Sequence, residues 1–226
     1  MAHLIADFPL QTDKIFVMKL KYPWGVAVHA SVAGALGFLL AGRYLRYPEV
    51  LIGLLVLWMA HILIDKGKLM LNRRLEKERI DLFLADQAFH IGLIWLFVHI
   101  VDLRQRLLID VRGLSSVYNS DVAVKLLCGY IVATYGVMLF VYSIKSTLGL
   151  RPDLPRLKQR LVEFLERGSV VTLTILGGLF WLLIPLCLAP RAVLSFGRSG
   201  RYRRLEFVLS AAFSLLIGIL LKELVI

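Results

Sequence analysis

Long apolar runs separated by short charged stretches dominate this chain, and they leave little choice of fold. The runs cover about 24–42, 48–64, 82–101, 122–144, 169–188 and 207–221. A bilayer core of roughly 30 Å is spanned by about 20 apolar residues in a helix. Inside hydrocarbon only helices and closed barrels satisfy their own backbone hydrogen bonds. Runs of this length fit helices, not the alternating ten-residue segments of a membrane barrel. The expected fold is all-α: a polytopic transmembrane helix bundle of about six spans. Residues 1–22 are too polar to span and are expected to form an interfacial or re-entrant segment, with a kink or helix start at Pro9.

The composition agrees. Of 226 residues, 58% are hydrophobic, above the roughly 45–50% of soluble domains. No loop is long enough for a second domain of ordinary size. The whole chain, 1–226, therefore reads as a single membrane domain. In it, 1–22 is the interfacial segment, 24–101 holds spans one to three, and 122–226 holds spans four to six. Asp7 and Asp13 interrupt the start, unlike a secretory signal, so the N-terminus is expected in the mature protein.

The formal charge of +11 lies in loops beside the spans. It points to the bilayer and anionic lipid headgroups as partners, not to nucleic acid. The segment 66–81 reads as a basic amphipathic helix on the membrane surface. A second short amphipathic helix is expected at 157–165, and Pro190 is expected to close span five. Lys and Arg are more numerous on the side that carries the N-terminus, which favours a cytoplasmic N-terminus; the arginines between spans five and six argue the other way. Cys128 and Cys187 each lie in an apolar run and read as buried structural thiols. Glu166 and Glu206 are expected to serve as helix N-terminal charges.

The chemistry lies in the histidines. Three of the five have an Asp four residues away: His3 with Asp7, His61 with Asp65, Asp86 with His90. Residues four apart share a helix face. With 16 Asp and Glu in the chain, random placement gives three such pairs in roughly 2% of cases, so the spacing calls for a cause. Span parity sends the end of span two, the start of span three, the first turns of span one and the N-terminal segment to one face. His3, Asp7, His29, His61, Asp65, Asp86 and His90 should gather there.

Ionisable groups inside a membrane protein usually mark function. Neutral His and Asp are ligands of zinc, manganese and iron, so one or two divalent ions, zinc first, are the expected cofactor. The bland alternative is a hydrogen-bonded His–Asp network that pins helices. Asp7, Asp65 and Asp86 are also the catalytic candidates, as general bases or ligands. Gln11, Lys66, Gln87, Arg73 and Arg74 are candidates for binding an anionic substrate. His99 lies nine residues after His90, on the opposite helix face, and is expected outside the site. Pro9 threatens the His3–Asp7 pair, the least secure of the three.

His3-Leu-Ile-Ala-Asp7-Phe8-Pro-Leu-Gln11, His29, His61-Ile-Leu-Ile-Asp65-Lys66 and Asp86-Gln87-Ala-Phe-His90 together resemble a bacterial and phage membrane family of unknown function over residues 1–100. The resemblance implies a shared polar site and a bacterial inner-membrane location, and supplies no activity. The arrangement is also similar, by analogy, to membrane-bound metal-dependent hydrolases. The expected function is a metal-dependent hydrolase acting on a lipid or lipid-linked (phospho)ester. The alternatives are a metal-ion or proton transporter, and a non-catalytic membrane partner with a structural cluster. Spans four to six are expected to serve as scaffold or as the interface of a homo-oligomer.

Overall fold

The computed structural model describes residues 1–101, 118–150, 155, 157–196 and 201–225. The polar stretch after the third apolar run, with Asp102, Arg104, Arg106, Asp110 and Arg112, reads from the sequence as a loop and lies outside them, as do Pro152 and Arg198. Among the described residues every regular element is a helix. Among the described residues five helices are long and apolar enough to cross a membrane, and a sixth, Gly25–Ala41, is apolar but shorter. The protein is an all-α, multi-pass membrane chain. Its contacts divide it into two compact units, Met1–Ser120 and Asp121–Ile226.

The first unit begins with α1 (Ala2–Asp7) and α2 (Asp13–Lys21). Pro9 falls in the link between them, so the ring breaks neither helix. The side chain of Thr12 caps α2 by accepting from the Ile15 amide, and Asp13 and Lys21 lie at the ends the helix dipole favours. The corner into α3 (Gly25–Ala41) turns on Gly25. A Cβ there would collide with the Met18 carbonyl, so only glycine lets α2 and α3 approach this closely.

A 3-10 turn, Gly42–Arg46, leads into α4 (Pro48–Leu75). Proline suits this first helical position because its missing N–H has no partner there anyway. Gly34 lets α3 and α4 close on each other; a Cβ would lie 2.9 Å from the Trp58 ring. Val26, Ala30 and Ile62 form the core between them, with Trp58 and Leu69 packed around it. The helix α5 (Ile80–Ile100) packs against α4.

One boundary differs from expectation. Residues 66–75 are not a separate surface helix but the last turns of α4, which runs on to Leu75. At 28 residues it is about 42 Å long, more than a bilayer core of roughly 30 Å. The basic end therefore projects beyond the apolar length as part of one rod. It stops at Glu76, which adopts a left-handed conformation (φ 52°). The basic residues sit where the helix dipole favours cations.

The second unit contains α6 (Asp121–Thr147), with a π-helical turn at Val132–Gly136. It continues with α7 (Leu157–Leu176), a 3-10 stretch Gly178–Leu183, α8 (Ile184–Phe196) and α9 (Arg201–Val225). Residues 157–165 do not form their own helix; they open α7. The fifth apolar run is interrupted at Gly177 and Gly178, both at positive φ. A right-handed helix cannot pass through that conformation. The membrane-length stretch is therefore Gly178–Phe196, and Pro190 lies inside α8 instead of closing a span. Arg203 and Arg204 begin α9 and are not loop residues.

Small residues let α9 pack against α7. Ser210, Ser214 and Gly218 recur every four positions, the two serines fully buried. A Cβ on Gly218 would lie 2.7 Å from the Thr174 Cβ. Such stripes allow close helix approach in membranes. A buried ion-pair network crosses the same unit. Arg167 donates to Ser210 Oγ, the Thr134 carbonyl in the π turn, and Glu163. Arg191 pairs with Glu163, Glu166 and Glu206, and Lys145 with Glu206. Glu166 and Glu206 are thus network partners of cations on other helices, not merely helix-end charges. Cys128 and Cys187 are half-buried free thiols rather than fully buried ones.

Candidate metal centre

Four helices of the first unit supply the site. His3 and Asp7 share α1, one turn apart, with Nδ1 3.4 Å from Oδ1. Their helix is complete before Pro9, so the proline does not separate them. His29 lies in the second turn of α3, His61 and Asp65 on α4, Asp86 and His90 on α5. The seven residues converge, and each is between 0% and 8% exposed. His61 is about 20 Å from the start of α4 and Asp86 about 9 Å from the start of α5, so antiparallel packing places both pairs toward the same end. His99 is exposed, lies tilted against the Trp95 ring and bonds the Trp95 carbonyl.

Four atoms form a regular group. Asp7 Oδ1 lies 3.5 Å from His29 Nε2 and 3.5 Å from His61 Nε2. Asp65 Oδ2 lies 3.6 Å from each of the same two nitrogens. Ligands held at 2.0–2.2 Å by a tetrahedral zinc-like ion are about 3.3–3.6 Å apart. The four Asp–His contacts match that figure, and Asp7, His29 and His61 have donor atoms all within 4.8 Å of one another. Two further groupings share its members: His3, His61 and His90, and Asp65, Asp86 and His90, each with donor atoms within 4.8 Å of one another. The clusters are of a kind that can hold metal.

Hydrogen bonding sharpens the contrast with an ordinary polar core. Twelve buried side-chain nitrogen or oxygen atoms among the described residues have no hydrogen bond, and ten belong to these seven residues, of which Asp65 Oδ2 alone faces an ammonium, that of Lys19. Each such atom costs about 1–3 kcal/mol, and native structures contain few. A structural His–Asp network would satisfy its members. The ion-pair network of the second unit does so, with no such atom among its described members. One imidazole is fully oriented: His90 Nδ1 donates to the Asp86 carbonyl at 2.8 Å. A carbonyl only accepts, so Nε2 carries the lone pair, the tautomer a metal ligand needs.

The electrostatics favour a cation. Lys19 Nζ lies 2.6 Å from Asp65 Oδ2, and Lys68 Nζ donates to Asp86 Oδ2 at 3.1 Å. Two ammoniums and four imidazoles thus face three carboxylates in a buried site. For Asp7, burial works against the charged form. The close imidazoles of His29, His3 and His61 outweigh it and hold the carboxyl below its ordinary range. Burial is the largest influence on His3 and brings it down to about 4, against the pull of Asp7. His3 is therefore neutral at physiological pH, as a ligand must be.

The remaining candidates separate. Gln87 donates to Asp86 Oδ2 at 3.1 Å and joins the cluster. Gln11 is half-buried in the link between α1 and α2. Lys66, Arg73 and Arg74 are exposed along the end of α4, with Arg73 donating to the Leu20 carbonyl at 2.7 Å. Sequence reasoning missed Lys19 altogether and treated Lys68 only as part of a surface stripe. No local spacing signals either pairing. Lys19 is 46 positions from Asp65, and the close corner at Gly25 brings them together. Lys68 was open to a helix argument: it lies seven residues after His61, two turns on and nearly on the same face.

Residues 1–112 match a family model described as a protein of unknown function (DUF3307). The matched stretch contains all seven clustered residues and ends before the second unit. No curated protein and no solved structure matches the chain.

Proposed function

We propose that this chain is a membrane-embedded, metal-dependent hydrolase acting on a lipid or lipid-linked ester or phosphoester. One observation carries the reading: buried Asp and His atoms without hydrogen bonds, in Asp–His contacts of 3.5–3.6 Å that equal the ligand spacing on a tetrahedral ion. Asp7, His29, His61 and Asp65 would hold the ion. Zinc suits two imidazoles and two carboxylates, and manganese and iron accept the same donors. A divalent ion in such a cage supplies Lewis acidity toward water and toward an ester or phosphoryl oxygen.

The other residues have roles of their own. Asp86 is held at Oδ2 by Lys68 and Gln87 while Oδ1 has no hydrogen bond. That oxygen would take a proton as a general base. His90, fixed through Nδ1, presents Nε2 to the same space, and its ring stacks on His3 at 4.6 Å. Asp65 belongs both to the four-atom cage and to the Asp65–Asp86–His90 grouping, so a second ion would share its carboxylate with the first. The location that goes with this reading is the bacterial cytoplasmic membrane, with the N-terminus inside.

The test has two parts. Metal analysis of the purified protein should find one or two zinc-class ions per chain, lost in His61→Ala, His90→Ala. The zinc-loaded protein should then release product from a mixed phospholipid and polyprenyl-phosphate pool followed by mass spectrometry. Metal binding without hydrolysis, together with zinc flux in liposomes, would identify a transporter instead. Equal metal content in wild type and variant would remove the reading.

A further inference from the structure

A cavity of about 200 Å³ adjoins the metal centre, between the end of α2, the start of α3 and the later turns of α4. Its polar lining is cationic, with Lys19, Lys66 and Arg73, and no carboxylate residue lines it. Val26, Leu69 and Met70 form an apolar wall. Lys19 has two attachments. It is buried, lines the cavity, and holds Asp65 Oδ2 at 2.6 Å. Cavity and cage thus share one ammonium group.

We propose that this cavity binds the phosphate group of an anionic amphiphile, with the adjoining apolar chain leaving over Met70 toward the bilayer. The size fits. At about 30 Å³ for each water, the space equals about seven waters, enough for a phosphate and a few methylenes but not a whole lipid. The charge fits, because Lys66 and Arg73 face a space whose lining holds no carboxylate, beside a Lys19 already paired with Asp65. Arginine and lysine are the usual phosphate partners, the first through its planar fork. Arg73 is oriented by its bond to the Leu20 carbonyl. The position fits as well. The cavity lies along the basic end of α4, where cationic side chains meet anionic headgroups. Met70 and Leu71 are exposed on the same stretch of helix. This deepens the hydrolase reading and rests on it for the consequence that the bound phosphate lies beside the reacting centre.

Binding is measured on the full chain, metal-stripped with a chelator, in phosphatidylcholine nanodiscs. The probes are dihexanoyl phosphatidic acid, dihexanoyl phosphatidylcholine and inorganic phosphate, titrated calorimetrically. Phosphatidic acid should bind at least tenfold more tightly than either of the others. Lys66→Gln, Arg73→Gln should weaken it at least tenfold, with metal content unchanged. Met70→Trp should weaken it by filling the cavity while every charge remains. Equal affinity for phosphatidic acid and phosphatidylcholine overturns the proposal, as does a double variant within twofold of wild type. Inorganic phosphate binding as tightly as phosphatidic acid overturns the amphiphile and leaves a soluble phosphate site. Because no metal is present, the outcome is independent of hydrolysis. Tight binding to a protein that never hydrolyses would refute the enzyme and not the pocket.

Discussion

Replacing His29 by alanine separates a metal cage from a structural network, because the two predict opposite energetics. His29 is fully buried, and neither ring nitrogen has a hydrogen bond. Without metal, the substitution removes two unsatisfied atoms, each costing about 1–3 kcal/mol. It also opens a cavity of the kind that costs about 2–5 kcal/mol. These effects offset, so the metal-free variant should lie within about 2 kcal/mol of wild type. With zinc the balance changes. A structural zinc site contributes about 10–16 kcal/mol, or roughly 3–4 for each of four ligands. Losing one ligand should weaken zinc about 100- to 1,000-fold, at 1.4 kcal/mol per tenfold. At a free zinc concentration 1,000 times the wild-type Kd, wild type gains about 4 kcal/mol. A variant weakened 100-fold gains about 1.4 kcal/mol under the same conditions. Thermal unfolding in detergent, with chelator and then with buffered zinc, reads both quantities. The reasoning fails if zinc raises the Tm of both proteins equally. It fails also if the chelated variant loses more than about 3 kcal/mol, since that is the signature of a ring already bonded in the metal-free fold.

Three other substitutions probe the frame around the site. His99→Ala should leave metal content and Tm unchanged, because the ring is exposed and bonds only along its own helix; a loss of metal would place His99 in the site after all. Gly25→Ala forces a Cβ against the Met18 carbonyl and should cost about 1–3 kcal/mol. It should also pull Lys19 away from Asp65, read as a changed zinc affinity alongside the lower Tm; an unchanged Tm would mean the corner relaxes freely. Arg167→Leu leaves Glu163 in the second unit with only its longer contact to Arg191 and should cost about 3–5 kcal/mol, as when one partner of a buried pair is lost. Zinc content, measured in parallel, should not change.

The sequence by itself determined the helices and the pairs on them. Hydropathy over twenty residues reports whether a stretch belongs in hydrocarbon, and a spacing of four reports which residues share a face. Span parity then brought His61, Asp65, Asp86, His90 and His29 to one end without any long-range information. Everything else was decided by tertiary structure. Whether Asp7 reaches His29 and His61 depends on where α1 folds back, which no window over the chain records. Lys19 meets Asp65 because Gly25 lets two helices close together, a steric fact about a missing Cβ. The end of the fourth helix at Glu76 and the break at Gly177–Gly178 are set by single backbone angles that window averages erase. Arg167 shows the limit most clearly: flanked by Glu166 and Gly168 it reads as a loop charge, yet it is buried to 1% exposure. Its burial is tolerable only because Ser210, the Thr134 carbonyl and Glu163, from three helices, meet its guanidinium. Local sequence sets periodicity and average polarity, whereas the cost of a buried charge is settled by partners that only packing brings within reach.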